Sequence, residues 1–224
     1  MKGDCNEILR EMRALAVPAN LDGMARYGID TSSALGLTVP TIRAIAKRVG
    51  RNQALAEELW NSGGREARIL ASMVADPLAI KRSTMDRWVR ELSSWDVCDA
   101  CCCDLFDRTP FVWQKIPKWA ADKREYVRRA AFSTLAGAAV HDKAAEDQRF
   151  LDGLALVEQY AFDERNYVRK AVNWALRNIG KRNKRLLRAA VACAKRVRAQ
   201  DSKAARWIAA DALREFRMKF GEWA

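Results

Sequence analysis

One short segment of the chain gathers residues suited to chemistry: Trp95-Asp96-Val97-Cys98-Asp99. Trp95 and Asp99 are four residues apart, so on a helix they share one face. Ser93-Ser94 just before them reads as a helix start, and Asp96 in the first turn then complements the helix dipole. Asp99 lies deeper, flanked by Val97, Cys98, Ala100 and Cys101, an apolar setting for a carboxylate. The competing reading is structural: Asp99 pairs with an arginine of the next helical repeat. Other templates fail. The single histidine, His141, stands beside Asp142 without a nucleophilic triad, and no Gly-x-Gly-x-x-Gly or phosphate-loop segment occurs. Cys98-x-x-Cys101 has zinc-like spacing, but no second pair follows it, so no metal site is expected. Catalysis here would have to use a carboxylate, aromatic rings and cations.

The elements that position this segment follow from internal repetition. The stretch from Asp122 to Leu135 matches Asp163 to Leu176 at an offset of 41, and a fainter copy from Ala205 to Arg214 lies 37 further on. Residues 65–74, from Arg65 to Val74, resemble the same helix more weakly. A period near 40 marks helix-pair repeats of the HEAT type. Apolar residues recur at helical spacing, as at Leu151, Leu154, Leu156, Val157 and Tyr160. The expectation is an all-α fold, a right-handed α-solenoid of HEAT-like helix pairs. It has about a dozen helices, no sheet, a single domain over residues 1–224 and a basic concave face. Asp122 (with Glu125 three residues on) and Asp163 suit the N-caps of the repeated second helices. Pro40, Pro77, Pro110 and Pro117 are placed at first turns or in linkers, and Gly63-Gly64 and Gly180 at helix ends. The six cysteines are expected to pack helices as small apolar residues, because Cys98, Cys101, Cys102 and Cys103 crowd one segment and leave Cys5 and Cys193 alone.

Charge points to the partner. Forty Lys and Arg against 28 Asp and Glu give a net charge of +12, and such an excess favours a polyanion through counterion release. The basic pairs Arg128-Arg129 and Arg169-Lys170, then Arg206, fall at matching points of successive repeats and predict a ladder of cations along the concave side, facing a duplex backbone. Trp174 stands where the preceding repeat has Ser133; on the concave side it would form a stacking wall beside DNA, and elsewhere it would be core. No apolar run reaches the roughly 20 residues that span a bilayer. The polar start, Met1 to Cys5, does not read as a secretory signal. A cytoplasmic protein, nucleoid-associated when bound to DNA, is expected.

Several segments together resemble the DNA alkylation repair family of AlkD-like, HEAT-repeat DNA glycosylases. They are Met24-Ala-Arg-Tyr27, Leu35-Gly-Leu-Thr-Val-Pro40-Thr-Ile-Arg43, Glu58-Leu-Trp60 with Arg65-Glu66, Ser94-Trp95-Asp96-x-x-Asp99, Ile116-Pro-Lys-Trp119 and Lys170-Ala-Val-Asn-Trp174-Ala-Leu-Arg177. The likeness runs from about residue 7 to 215. It implies removal of N3- and N7-alkylated purines from duplex DNA without a base-flipping pocket. By position, it implies Asp99 as the catalytic aspartate, Trp95 and Trp174 as the tryptophans flanking the deoxyribose, and Arg129 as the arginine gripping the backbone there. Arg128 is the alternative one residue away, and Tyr27 matches an aromatic that faces the DNA. The chain departs at Ser94, where members often carry a second tryptophan, and at Thr38-Val39, where a more polar pair is usual.

The chemistry implied is undemanding. A purine alkylated at N3 or N7 is already cationic and leaves as a neutral base, so no general acid is needed. Positive charge develops on the sugar, as in glycoside hydrolysis. An ionised Asp99 stabilises it and orients water, and the indole faces add about 0.5–2 kcal/mol each. Three to four decades of rate require only about 4–5.5 kcal/mol. The leading expectation is thus a monofunctional DNA glycosylase, monomeric, acting on duplex DNA with alkylated purines and needing no cofactor, metal or membrane. A non-catalytic HEAT module that binds damaged or distorted DNA is the alternative, followed by a scaffold for a protein or RNA partner. No lysine stands out as a Schiff-base nucleophile, so no lyase step is expected.

Overall fold

The computed structural model describes residues 4–221. Met1–Gly3, part of the stretch on which the reading of no secretory signal rests, lie outside the described residues, as do Glu222–Ala224, which belong to the expected 1–224 domain. Thirteen α-helices and two short 3-10 turns, and no strand, occur among the described residues. The fold is all-α and HEAT-like.

The chain divides into two compact units, one up to Pro110 and the other from Phe111. The first contains α1 (Cys5–Ala14), α2 (Leu21–Arg26), α3 (Val39–Val49), α4 (Gln53–Asn61), α5 (Arg65–Val74), α6 (Arg82–Arg90) and α7 (Trp95–Asp104). Here α5 packs against α3 on one side and α7 on the other, with α4 also against it and α1 on α4. Trp60 and Trp88, both fully buried, stack with ring centroids 4.2 Å apart. The Trp60 indole N–H donates to Glu91, which satisfies the polar edge of a ring otherwise sunk in apolar surroundings.

The second unit contains α8 (Val112–Ala120), α9 (Glu125–His141), α10 (Asp147–Tyr160), α11 (Asn166–Gly180), α12 (Lys184–Arg198) and α13 (Lys203–Phe220). They form two layers, α9–α11–α13 and α8–α10–α12, which is the helix-pair arrangement the 41-residue repeat predicts. Helix α9 is buried almost all round, and its Ala130, Ala131, Ala136, Ala138 and Ala139 let neighbouring backbones approach. Inside that contact the Asn178 side-chain amide donates to the Ala136 carbonyl, 3.1 Å away. At the end of α11, Gly180 leaves no room for a Cβ because the Phe216 ring of α13 presses on it.

Two local expectations need correction. The N-caps of α9 and α11 are Arg124 and Arg165, not Asp122 and Asp163. Each aspartate lies two residues before the N-cap. There it accepts from the backbone N–H and the guanidinium of its own arginine, Asp122 from Arg124 and Asp163 from Arg165. Such Asx-type bonding holds the chain entering the helix instead of the first-turn amides. Pro117 is inside α8 rather than at its start, where its ring forfeits the bond to the carbonyl four residues back. Pro40 does occupy the first turn of α3.

Candidate functional site

The first unit places Trp95 and Asp99 through a buried network that begins at the first turn of α5. Arg65 is 5% exposed and Glu66 1% exposed, so each charge must be matched inside the protein. Arg65 donates from Nε to Asp96 Oδ2 at 2.5 Å and from Nη1 to Glu66 Oε1 at 2.9 Å. The Glu66 carboxylate accepts in turn from the amides of Leu35, Gly36 and Leu37 at 2.9, 3.1 and 3.3 Å. Gly36 has φ +78°, and a Cβ there would strike the Val17 carbonyl, so glycine is required for the loop to come this close. Asp96 also accepts from Ser94 Oγ. Two buried ion pairs that share Arg65 thus tie the 28–38 loop, through Glu66, to Asp96 at the start of α7.

At that start, the Trp95 indole N–H donates to the Tyr27 carbonyl at 3.0 Å. Tyr27 closes α2 and its side chain is 79% exposed. Two residues singled out separately in the sequence are therefore in direct contact. Trp95 and Asp99 are both half-buried, one turn apart on α7, while Val97, Cys98, Cys101 and Cys102 fill the core side. The two aspartates of the segment have different environments: Asp96 is committed to Arg65, and Asp99 shares the face of Trp95. Reasoning from the sequence gave Arg65 and Glu66 no role of their own. The signal available was an Arg-Glu pair opening a helix whose remaining residues are mostly apolar.

Four of the six cysteines are packed in the core, and Cys5 and Cys103 are half-buried. Cys98, Cys101, Cys102 and Cys193 are fully buried, and burial pushes the Cys101 and Cys103 thiols well above their ordinary range and Cys193 to about 12. Among the described residues no three His, Cys, Asp or Glu side chains come together as metal ligands would.

The second unit carries Arg129, Trp174 and the repeated cations. Arg129, on α9, is only 5% exposed; its Nη1 donates to the Tyr167 carbonyl at 2.6 Å and its guanidinium lies 5.9 Å from the Tyr167 ring centre. Arg128 is also turned inward. Its Nε donates to the carbonyl of Ala120, the last residue of α8, its Nη1 to Asp163 at 2.7 Å, and it covers the Tyr160 ring. A helix C-terminus lacks intrahelical donors, and Arg128 supplies one. Arg169 is half-buried, with its guanidinium 5.2 Å from the exposed Trp207 ring. Lys170 and Arg206 are exposed, Arg206 with Asp201 3.4 Å away. The expected ladder is therefore mixed: its α9 rung is built into the protein, and its α11 and α13 rungs reach solvent.

Trp174 is half-buried on α11, in a register where α9 carries the fully buried Ser133. Its helix is fixed against α13 by a polar row. Asn173 donates to Asp211 at 2.7 Å, Arg177 pairs with Glu215, and Lys181 with Glu215 at 2.8 Å. Burial alone would raise the Glu215 carboxyl, but the hydrogen bond from Lys181 and the charge of Arg177 prevail and hold it below the usual carboxylate range.

The model of the family described as DNA alkylation repair enzyme matches residues 8–216. No curated protein matches the chain in sequence. Among solved structures, one is similar over 95% of both chains, with a TM-score of 0.78 and 22% sequence identity. It is described as a new family of proteins related to the HEAT-like repeat DNA glycosylases with affinity for branched DNA structures. The likeness extends the HEAT-like fold over nearly the whole chain.

Proposed function

The chain belongs to the DNA alkylation repair enzyme family, and from that membership we propose that it is a monofunctional DNA glycosylase, releasing cationic N3- and N7-alkylated purines from duplex DNA. The observation that carries this reading is the start of α7. There a tethered indole and a carboxylate share one face, and the other carboxylate of the segment is held by Arg65. Loss of a neutral purine leaves positive charge on the deoxyribose. Asp99 opposes that charge and directs water to C1′, and the π-face of Trp95, one turn away on the same helix, stabilises it further. In the second unit Arg129 fixes the first turn of α11, the helix that carries Trp174, and Trp174 offers an aromatic face to DNA. Lys170, Arg206 and Tyr27 supply contacts to the strand. The substrate needs no acid to protonate its leaving group, which suits a chain with a single histidine.

The test is release of free 7-methylguanine from methylated duplex under single turnover. Asp99→Asn is expected to slow release by at least about 100-fold, the scale of losing one charge-stabilising group, with duplex affinity retained. Release at the wild-type rate would remove Asp99 from the mechanism.

A second reading is favoured by two observations. The similar structure is described by its affinity for branched DNA, and Arg129, expected to grip a phosphate, is engaged with Tyr167. On that reading the chain binds branched DNA and cuts nothing. It predicts no base release from any alkylated duplex and tighter binding to a four-way junction than to a linear duplex.

A further inference from the structure

We propose that a cationic cleft in the first unit, formed by α3 and the C-terminal ends of α5 and α7, binds successive phosphates of a DNA strand. The inference rests on the reading that the chain binds DNA, and it is independent of whether a base is released. The cleft encloses about 330 Å³, and Arg43, Lys47, Arg51, Asp104 and Arg108 line it beside Gly50. Arg43 and Lys47 are one turn apart on α3, outside its buried stripe of Ile42, Ile45 and Val49. Arg51 follows Gly50, whose φ of +72° ends the helix. One Arg51 Nη donates to the carbonyls of Met73 and Ala75 at the end of α5, so this guanidinium is held at the cleft wall before any ligand arrives.

The four cations face one lining carboxylate, a net of about three positive charges by count. That carboxylate, Asp104, meets Arg43 at 3.4 Å, with the Arg43 side chain 60% exposed. Arg108 is 41% exposed, and the Asp107 carboxylate is 3.8 Å from it. Cations so gathered repel one another, and an anion relieves that repulsion. Guanidinium forks suit the paired oxygens of a phosphate, and cations drawn from three separate segments reach further than a single anion requires. None of these residues lies in the repeated register, which is why periodicity in the sequence does not reveal them.

The experiment uses the full chain and an unmodified, fluorescein-labelled duplex of about 20 base pairs, with Kd read by anisotropy over a salt series. The double variant Arg43→Gln/Lys47→Gln is compared with Lys184→Gln/Arg185→Gln, which removes the same charge from exposed positions of α12. The cleft variant is expected to bind about tenfold more weakly at low salt, with the slope of log Kd against log salt reduced by about 1.8, or roughly 0.9 per lost contact. The α12 variant should stay close to wild type. Equal losses in both variants, or none in the cleft variant, would overturn the assignment. Failure of the wild type to bind the duplex would instead defeat the DNA reading itself. Inorganic pyrophosphate, added at constant ionic strength, should leave the wild-type melting temperature unchanged. A saturable rise that the cleft variant lacks would give the cleft to a free anion and overturn the proposal.

Discussion

Hydrogen bonds set the roles of Trp95 and Asp96. Trp95 is tethered through its N–H to Tyr27, so ring and tether can be separated by Trp95→Phe. The Tyr27 carbonyl is accessible to water, and the cost in stability should stay under about 1 kcal/mol. A ring free to tilt loses orientation, and base release should fall about tenfold while duplex Kd changes less than about twofold. Single-turnover excision alongside anisotropy separates the two effects, and an unchanged rate would show that the tether does not matter. Asp96 and Asp99 divide similarly, one bound to Arg65 and one on the face of Trp95. Asn at position 99 tests the proposed chemistry, whereas removing the Asp96 carboxylate would leave the buried Arg65 with Glu66 alone and strip its Nε of a partner.

Helices in this protein are joined by arginines as well as by apolar packing. Asp163 receives both Arg165 and Arg128, linking the entry to α11 with the end of α8. Burial would raise its pKa, but the hydrogen bonds from Arg165 and Arg128 outweigh it and lower the value below the ordinary one. A depressed carboxyl pKa contributes stability above the unfolded value, near 3.9, and loses it as pH falls through the folded value. Asp163→Asn should therefore unfold more easily than wild type by about 2 kcal/mol at neutral pH, less than a fully buried pair because Arg165 is partly solvated. Denaturant titrations should show the gap holding down to about pH 5, shrinking from about pH 4 as the unfolded chain protonates, and closing only below the folded value, where both proteins carry a neutral group. A gap independent of pH would mean that the charge on Asp163 is not what joins the helices. The thiols offer a second check on packing. Cys98, Cys101, Cys102 and Cys193 are buried with no exposed surface and should react with a thiol reagent only on unfolding, because the reagent cannot reach the sulfur in the folded protein. Labelling of any of these four in the native protein would show that α7 or α12 opens.

The whole chain behaves first as a polycation. With a net charge of +12, binding to undamaged duplex should weaken by about a thousandfold between 50 and 200 mM salt if about six phosphates are contacted. A flat salt profile would argue for a partner other than a nucleic acid backbone. Much of the architecture was open to inspection in the sequence, because HEAT-like repeats bury their faces against neighbours a fixed distance along the chain. An offset of 41 between Asp122 and Asp163 is thus also the spacing of α9 and α11. Helical class, repeat period, polycationic character and the shared face of Trp95 and Asp99 all depend on near neighbours, and so the sequence determined them. What an arginine does depends on what lies across the packing interface. Only the tertiary structure could turn Arg128 onto Ala120 and Asp163, set Arg65 between Glu66 and Asp96, and collect Arg43, Lys47, Arg51 and Arg108 around one cleft. A guanidinium is long, flexible and satisfied by a carbonyl, a carboxylate or a phosphate, and the choice among them is made by the groups that packing brings within its reach.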